Sequence, residues 1–278
     1  MALNKQSLSQ WCLTYGELKN YSLRKAFPDL SNKFDFMHQI WEIGCKMAIT
    51  LKALEGKNQN EWLFKGIVVA LFWKGLKTHL AIENLLEAGF FQDSFILLRS
   101  LLEIIINLEY IKRNPQDRVK LYLEFDYITR KRLLDAGRKV YGDKFPGSEK
   151  DDEIKELESN YQRVKNEYPK KYQWSGRSIK EMASEVGLGD LYDLIYSHLS
   201  TYVHSSASSH SSIIRNESEG LRIIIIPEQE DHSEIEKVIH FTCVFTLMLI
   251  KLYQEIFSLE YSKEVAEIEK KFKSMDVV

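Results

Sequence analysis

The chain has 278 residues, of which 44% are hydrophobic and 28% are charged, a composition that is ordinary for a globular protein. Its formal net charge of −2 excludes an overall basic field for nucleic acid, although it is compatible with a local basic groove. The 3 cysteines, Cys12, Cys45 and Cys243, lie far apart without metal or redox spacing, and this predicts reduced thiols.

Two stretches bear on targeting. Residues 1–21 are too polar for a signal peptide. The longest apolar run, at residues 238–250, is shorter than the roughly 20 residues that a membrane span needs, and it contains His240. We therefore expect a soluble, cytoplasmic protein with no membrane partner.

Helical periodicity dominates the chain, which has 5 prolines and 13 glycines. Gly89 is expected to end the third helix in the left-handed conformation, and Asn114 with Pro115 is typical of a helix start. The predicted helices span approximately residues 3–25, 32–54, 61–87, 93–113, 115–140, 151–168, 178–187, 190–206, 233–257 and 261–274.

These elements predict an all-α fold. The fourth helix is apolar nearly all round, which predicts a central position covered by its neighbours. Residues 221–226, Leu-Arg-Ile-Ile-Ile-Ile, predict a minor β-hairpin or edge strand in the multi-helix bundle. A single helical domain is expected over residues 1–278, in which N-terminal helices at 1–60 pack on a core of about 61–257 and a charged helix lies at 258–278.

A polar line interrupts the apolar fourth helix. Arg99, Glu103 and Asn107 recur at every fourth position and therefore share one face, with Tyr110 close to it. Because buried unpaired charge is costly, Arg99 and Glu103 are expected to pair with each other or with a neighbouring helix. Three interpretations are open: a structural ion pair that fixes helix register, the floor of a polar cleft, and a solvent-exposed face.

A second polar group lies near the end of the eighth predicted helix. Tyr196, Ser197, Ser200 and His204 share a face by spacings of three and four. His204 is the candidate for proton transfer, because an unperturbed imidazole pKa near ~6.5 allows both protonation states at neutral pH. The alternative is a core or capping histidine.

Motifs for other chemistries do not occur. No H-E-x-x-H, paired-cysteine or carboxylate-rich pattern indicates a metal site, and no glycine-rich phosphate-binding motif indicates a nucleotide. The sequence therefore predicts no metal and no cofactor. A small-molecule pocket between helices is a further possibility, for which the sequence identifies no ligand.

Two elements carry a family resemblance: R-S-x-x-E at residues 99–103 and S-x-x-V-H at residues 200–204. Together with Trp174 and the segment Ile-Lys-Glu-Met-Ala at 179–183, they resemble a bacterial helical family of unknown function. The resemblance covers roughly residues 80–212, about half of the chain. That family has no settled activity, so the resemblance implies a helical architecture and no particular reaction.

The chain is also distantly similar to HEPN-type helical proteins, many of which are ribonucleases in toxin or phage-defence systems. Their usual mark is an arginine and a histidine a few residues apart on one helix. This chain departs from that pattern, because Arg99 and His204 would have to meet from different helices.

The first functional hypothesis is a metal-independent ribonuclease or toxin-like effector in bacterial defence, with RNA as its partner. Its catalytic residues would be His204, which transfers the proton, Arg99, which stabilises the charge on phosphorus, and Glu103, which orients Arg99. The substrate-binding residues expected beside them are Asn107, Tyr110, Tyr196 and Ser200.

The alternative is a non-catalytic helical scaffold or sensor that binds a protein partner or self-associates. In that case Arg99, Glu103 and His204 form a structural network, and the charged helices at 151–168 and 261–274 carry the contacts. A homodimer is a general expectation for bundles of apolar helices, and no residue pattern specifies it.

Overall fold

The computed structural model describes residues 21–51, 55–142, 151–168, 173–203, 214–217, 220–223 and 231–275. Within these ranges the chain is helical apart from loops and two short strands, so the predicted all-α class is confirmed. The first predicted helix falls mostly on residues 3–20, outside the described part of the chain.

The helices agree closely with those predicted from periodicity. Short 3-10 turns at Pro28–Leu30 and Lys165–Glu167 adjoin two of them. In chain order the described α-helices are α1 (Leu23–Ala26), α2 (Ser31–Thr50), α3 (Gln59–Glu87), α4 (Phe91–Arg113), α5 (Pro115–Tyr141), α6 (Asp151–Val164), α7 (Ile179–Glu185), α8 (Gly189–Val203), α9 (His232–Phe257) and α10 (Ser262–Ser274).

Two short strands lie between α8 and α9. β1 (Ile214–Glu217) pairs antiparallel with β2 (Gly220–Ile223), and Ile214 lies opposite Ile223. The strand predicted at 221–226 coincides with β2 only at residues 221–223, because residues 224–226 are outside the described ranges.

Local sequence signals set several helix ends. Gly89 follows α3 with a φ of 85°, the left-handed conformation expected of it. Ser178 caps α7: its hydroxyl accepts from the Glu181 N–H at 3.2 Å, and the Glu181 carboxylate accepts from the Ser178 N–H at 2.6 Å. Asn114 precedes α5 but makes no side-chain cap, since its amide donates to Asp117 Oδ2 at 2.8 Å.

The chain divides into two compact units. Unit A comprises residues 1–53, 68–105 and 190–278, and unit B comprises residues 54–67 and 106–189. The boundaries at 67/68 and 105/106 fall inside α3 and α4. The single domain predicted over residues 1–278 stays a prediction.

The core of unit A forms around α9, which is apolar along most of its length and packs against α2. Phe72 of α3 stacks on Tyr253 of α9 with ring centroids 3.9 Å apart, and both side chains are buried. Burying such a side chain contributes roughly 1.5–3 kcal/mol. A Cβ at Gly75 would collide with the Leu249 side chain, so glycine permits the close approach of α3 to α9.

Unit B has its own small core between α5 and α6. Ile128, Val164 and Tyr168 are buried together there. The Tyr168 hydroxyl donates to the Leu121 carbonyl at 2.8 Å, which satisfies its polar atom inside this core.

Candidate functional site

Arg99 and Glu103 form the ion pair that their spacing on α4 predicts. Arg99 Nε donates to Glu103 Oε1 at 3.0 Å. The two side chains are 20% and 32% exposed, so the pair lies at a partly open surface and not in the dry interior of unit A. Partial exposure lowers the desolvation cost of the two charges.

Helix α8 brings two hydroxyl groups to the same guanidinium. Arg99 Nη1 donates to Ser200 Oγ at 3.4 Å, and Nη2 donates to the hydroxyl of Tyr196. That hydroxyl in turn donates to Glu103 Oε1 at 3.0 Å. Arg99 Cζ also lies 4.3 Å from the centroid of the Tyr196 ring. Arg99, Glu103, Tyr196 and Ser200, hereafter the arginine cluster, form a closed network between α4 and α8.

The electrostatics of the cluster keep its phenol neutral. Burial, with the negative charge of Glu103 as the next cause, raises the pKa of Tyr196 above its ordinary value of 10.0. The Tyr192 ring stacks on Tyr196 with centroids 4.2 Å apart, which holds the phenol in place. The cluster therefore combines one cation, one anion and two neutral hydroxyls, and the hydroxyl of Tyr196 already donates its proton to Glu103.

An anion could enter the cluster by displacing its weakest contact. A guanidinium has five N–H donors in a planar fork that suits carboxylate and phosphate oxygens. The bond to Ser200 at 3.4 Å is the longest that Arg99 makes within the cluster. A phosphate oxygen could therefore replace Ser200 as the acceptor at Nη1, while the hydrogen bond from Nε to Glu103 is kept.

His204, the predicted proton-transfer residue, lies outside the described residues. Helix α8 is described as far as Val203. The side chain of Ser197, which was predicted to share the face of His204, also lies outside the described part of the structure. His198, which the spacing separates from the cluster, lies 3.4 Å from Glu234 Oε2 through its Nε2. The catalytic role of His204 stays a prediction.

The other two predicted substrate-binding residues, Asn107 and Tyr110, belong to unit B, where both contact Trp174. The Trp174 indole N–H donates to Asn107 Oδ1 at 2.7 Å. Its ring meets Tyr110 edge-on at 5.7 Å and Tyr122 at 5.1 Å. Trp174 thus packs on side chains of α4 and α5 within unit B, and the substrate-binding role of Asn107 and Tyr110 stays a prediction.

Unit B contains an arginine, Arg118, that was not predicted to be part of a site. Arg118 Cζ lies 3.5 Å from the centroid of the Tyr110 ring, and its guanidinium donates to the Tyr110 carbonyl at 2.6 Å and pairs with Glu185. No motif marks this residue, because Glu185 is 67 residues away in the chain.

A buried histidine in unit A was also missed, although a signal for it exists. His79 is fully buried, with Nδ1 2.7 Å from Thr246 Oγ1, and burial lowers its pKa to about 3. His79 and Glu83 are four residues apart in α3, with the apolar residues 80–82 between them. Arg99 and Glu103 have the same spacing in α4.

A model of a family of unknown function, DUF5677, matches residues 65–221. The chain belongs to this family. The matched residues include the whole arginine cluster, and membership in a family of unknown function confirms that part of the expected resemblance. The similarity to HEPN-type proteins stays a prediction. Neither the curated proteins nor the solved structures yield a significant match.

Two further properties concern the described residues alone. None of their helices is long and apolar enough to cross a membrane. Among the same residues, no group of three or more His, Cys, Asp or Glu side chains is placed to hold a metal ion.

Proposed function

We propose that this member of the DUF5677 family is a metal-independent ribonuclease whose phosphate-binding group is the arginine cluster. The supporting observation is the partly exposed side chain of Arg99, whose guanidinium is oriented by Glu103 and lies beside the hydroxyls of Tyr196 and Ser200. RNA carries its own nucleophile, the 2′-hydroxyl. The protein therefore needs to supply only a proton acceptor and a cation for the phosphate.

The proposed reaction is transesterification within the RNA strand. The 2′-oxygen attacks the adjacent phosphorus, and its proton passes to the neutral imidazole of His204. The bond between phosphorus and the 5′-oxygen breaks, and that oxygen takes a proton from water. The products are a 2′,3′-cyclic phosphate and a 5′-hydroxyl end. Arg99 stabilises the extra negative charge on the phosphate oxygens while it forms.

The biological setting is part of the same proposal. RNA is the partner, and the activity would serve a cytoplasmic, toxin-like effector in bacterial phage defence. The distant similarity to HEPN-type proteins motivates this setting. A homodimer is compatible with the proposal but is not needed for the chemistry.

Cleavage of a fluorescently labelled single-stranded RNA, in buffer containing a metal chelator, tests the proposal. We expect Arg99→Ala and His204→Ala each to lower the cleavage rate by about 10²-fold or more, the usual contribution of an acid–base or charge-stabilising group. His198→Ala is the control, because this 48% exposed histidine lies on α8 outside the arginine cluster. Mass spectrometry of the products should show the cyclic phosphate.

Either of two results overturns the ribonuclease. One is an intact wild-type protein that cleaves no RNA. The other is cleavage at the wild-type rate by folded Arg99→Ala and His204→Ala variants, with circular dichroism as the measure of folding.

The hydrogen bonds of Arg99 favour a second function. Its Nε donates to Glu103 of α4, and its Nη1 and Nη2 donate to Ser200 and Tyr196 of α8. In a non-catalytic scaffold or sensor, this network would hold the two helices in register. Arg99→Ala would then lower the free energy of unfolding by about 1–3 kcal/mol, because it leaves the partly buried side chains of Glu103, Tyr196 and Ser200 without their hydrogen-bond donor. An Arg99→Ala variant that keeps its stability and loses cleavage rejects the scaffold, since active-site residues contribute little to stability.

A further inference from the structure

A pocket of about 390 Å³ lies in unit A between α4, α8 and the first turns of α9. Its volume falls in the range of about 300–1,000 Å³ that is typical of small-molecule sites. It uses residues of α8 other than Tyr196 and Ser200 and does not include the arginine cluster. The pocket is lined by the apolar side chains Phe95, Leu194, Ile195, Leu199 and Phe241.

The charged side chains at the pocket have protein partners. Lys237 Nζ donates to Glu234 Oε1 at 2.6 Å, and His198 Nε2 lies 3.4 Å from the other oxygen of the same carboxylate. Glu236 pairs with Lys33. A ligand therefore needs no charge of its own to balance this site, and a charged ligand would compete with existing ion pairs.

His240 closes one side of the pocket as a neutral ring. It stacks on Phe272 with centroids 5.2 Å apart and meets Phe241 edge-on at 5.2 Å. Burial, followed by the positive charge of Lys33, lowers the pKa of His240 below its ordinary value of 6.5. At neutral pH this wall adds aromatic surface and no charge.

We infer that this pocket binds a small, uncharged, largely apolar molecule of up to three rings. The apolar floor, the paired charges at the edge and the aromatic wall select for such a ligand and against an anion or a cation. A volume of about 390 Å³ accommodates one such molecule. Because the pocket does not use Arg99, this inference stands independently of the proposed ribonuclease.

A matched pair of fluorescent probes tests the inference on the full chain. N-phenyl-1-naphthylamine is uncharged, and 1-anilinonaphthalene-8-sulfonate has the same ring skeleton with one sulfonate. We expect saturable binding of the uncharged probe with one site per chain, and binding of the sulfonate at least about tenfold weaker, which corresponds to about 1.4 kcal/mol. Equal binding of the two probes, or no saturable binding of the uncharged one, overturns the inference.

Substitutions at the mouth of the pocket locate the probe. Leu194 is 71% exposed, so Leu194→Trp and Leu194→Glu should fold while the first blocks the mouth and the second places a charge there. Each should weaken binding of the uncharged probe at least about tenfold. Leu133→Trp is the control, since Leu133 is 65% exposed and lies on α5 in unit B. Wild-type affinity in both Leu194 variants would show that the probe binds elsewhere.

Two more measurements separate this inference from its rivals. Arg99→Ala should bind the uncharged probe with wild-type affinity, so that failure of the ribonuclease and failure of the pocket are distinguishable. If a second copy of the chain filled the pocket, the probe would dissociate dimers on gel filtration, and that result would overturn the small-molecule ligand.

Discussion

The Tyr196 hydroxyl and the Glu103 carboxylate lie 3.0 Å apart and join α4 to α8, although the two residues are 93 positions apart in the chain. The same carboxylate oxygen accepts from Arg99 Nε at 3.0 Å. Glu103 therefore orients a cation and a phenol together. Because the bond requires a protonated phenol, its geometry agrees with the raised pKa of Tyr196.

Removing this hydroxyl should have a modest and specific effect. Tyr196→Phe keeps the ring that stacks on Tyr192 and lies near the Arg99 guanidinium, and it loses only the hydrogen bonds of the phenol. We expect the free energy of unfolding to fall by about 1 kcal/mol, the usual net contribution of a hydrogen-bonded hydroxyl. Urea unfolding at neutral pH measures the change.

Tyr261→Phe is the control for this substitution. The Tyr261 hydroxyl lies 2.9 Å from Thr50 Oγ1 at the exposed surface, and its loss should change the free energy of unfolding by less than about 0.5 kcal/mol. Equal effects of the two substitutions would show that the bond between Tyr196 and Glu103 contributes nothing beyond a surface contact.

The buried imidazole of His79 predicts a loss of stability in acid. Its pKa falls from 6.5 to about 3 on folding, so between these pH values the unfolded chain binds a proton that the folded chain does not. The free energy of unfolding therefore decreases as the pH falls through this window, by at most about 1.4 kcal/mol per pH unit for this group. Urea midpoints at pH 7, 6, 5 and 4 follow the decrease.

His79→Gln should flatten this part of the curve, because glutamine does not titrate. His198→Gln is a matched control: His198 is 48% exposed on α8, and the variant keeps the buried imidazole of His79. All three proteins have the same carboxylates, so a flattening confined to His79→Gln is due to the buried imidazole. An unchanged slope in His79→Gln would mean that another group causes the acid sensitivity.

Local contacts account for what the sequence predicted well. Gly89 ends α3 because only a residue without a Cβ readily takes a φ of 85°, and Ser178 with Glu181 begins α7 through a capping box. The pair of Arg99 and Glu103 is equally local, since residues four apart on a helix are neighbours. Such features depend on a few neighbouring residues and can therefore be predicted from the sequence.

Long-range contacts account for what the sequence left open. The spacing placed Tyr196 and Ser200 on one face of α8, but their meeting with Arg99, across 97 and 101 residues, depends on how α4 and α8 pack. Asn107 shares the spacing of Arg99 and Glu103, yet its amide oxygen holds the Trp174 indole. Residues that recur at a regular interval on a helix are predicted to share one face. The interval does not predict which side chains of other elements contact that face.

The bond between Trp174 and Asn107 should be an important contact within unit B. Asn107→Ala leaves the indole N–H without its acceptor at a partly buried position, and we expect a loss of about 1–3 kcal/mol in the free energy of unfolding. Trp174→Phe removes the donor. The double variant should therefore lose less than the sum of the two single losses, by about 0.5 kcal/mol or more.

Asn160→Ala is the control for the Asn107 variant. The Asn160 amide donates to the Glu156 carbonyl on the exposed face of α6, and its removal should change stability by less than about 0.5 kcal/mol. Additive losses in the Asn107 and Trp174 variants would show that the two side chains stabilise unit B through separate contacts.

Two glycines of α3 should respond in opposite directions to the same substitution. A methyl group added at Gly66 would meet no heavy atom within 4 Å, whereas a methyl group added at Gly75 would collide with the Leu249 side chain. Gly66→Ala should raise the free energy of unfolding by about 0.5–1 kcal/mol, because alanine restricts the unfolded chain and favours helix. Gly75→Ala should lower it by about 1–3 kcal/mol through overpacking. Urea unfolding of both variants measures the two changes: a gain at Gly75 would mean that α3 and α9 pack less closely than described, since helix propensity is the same at both positions.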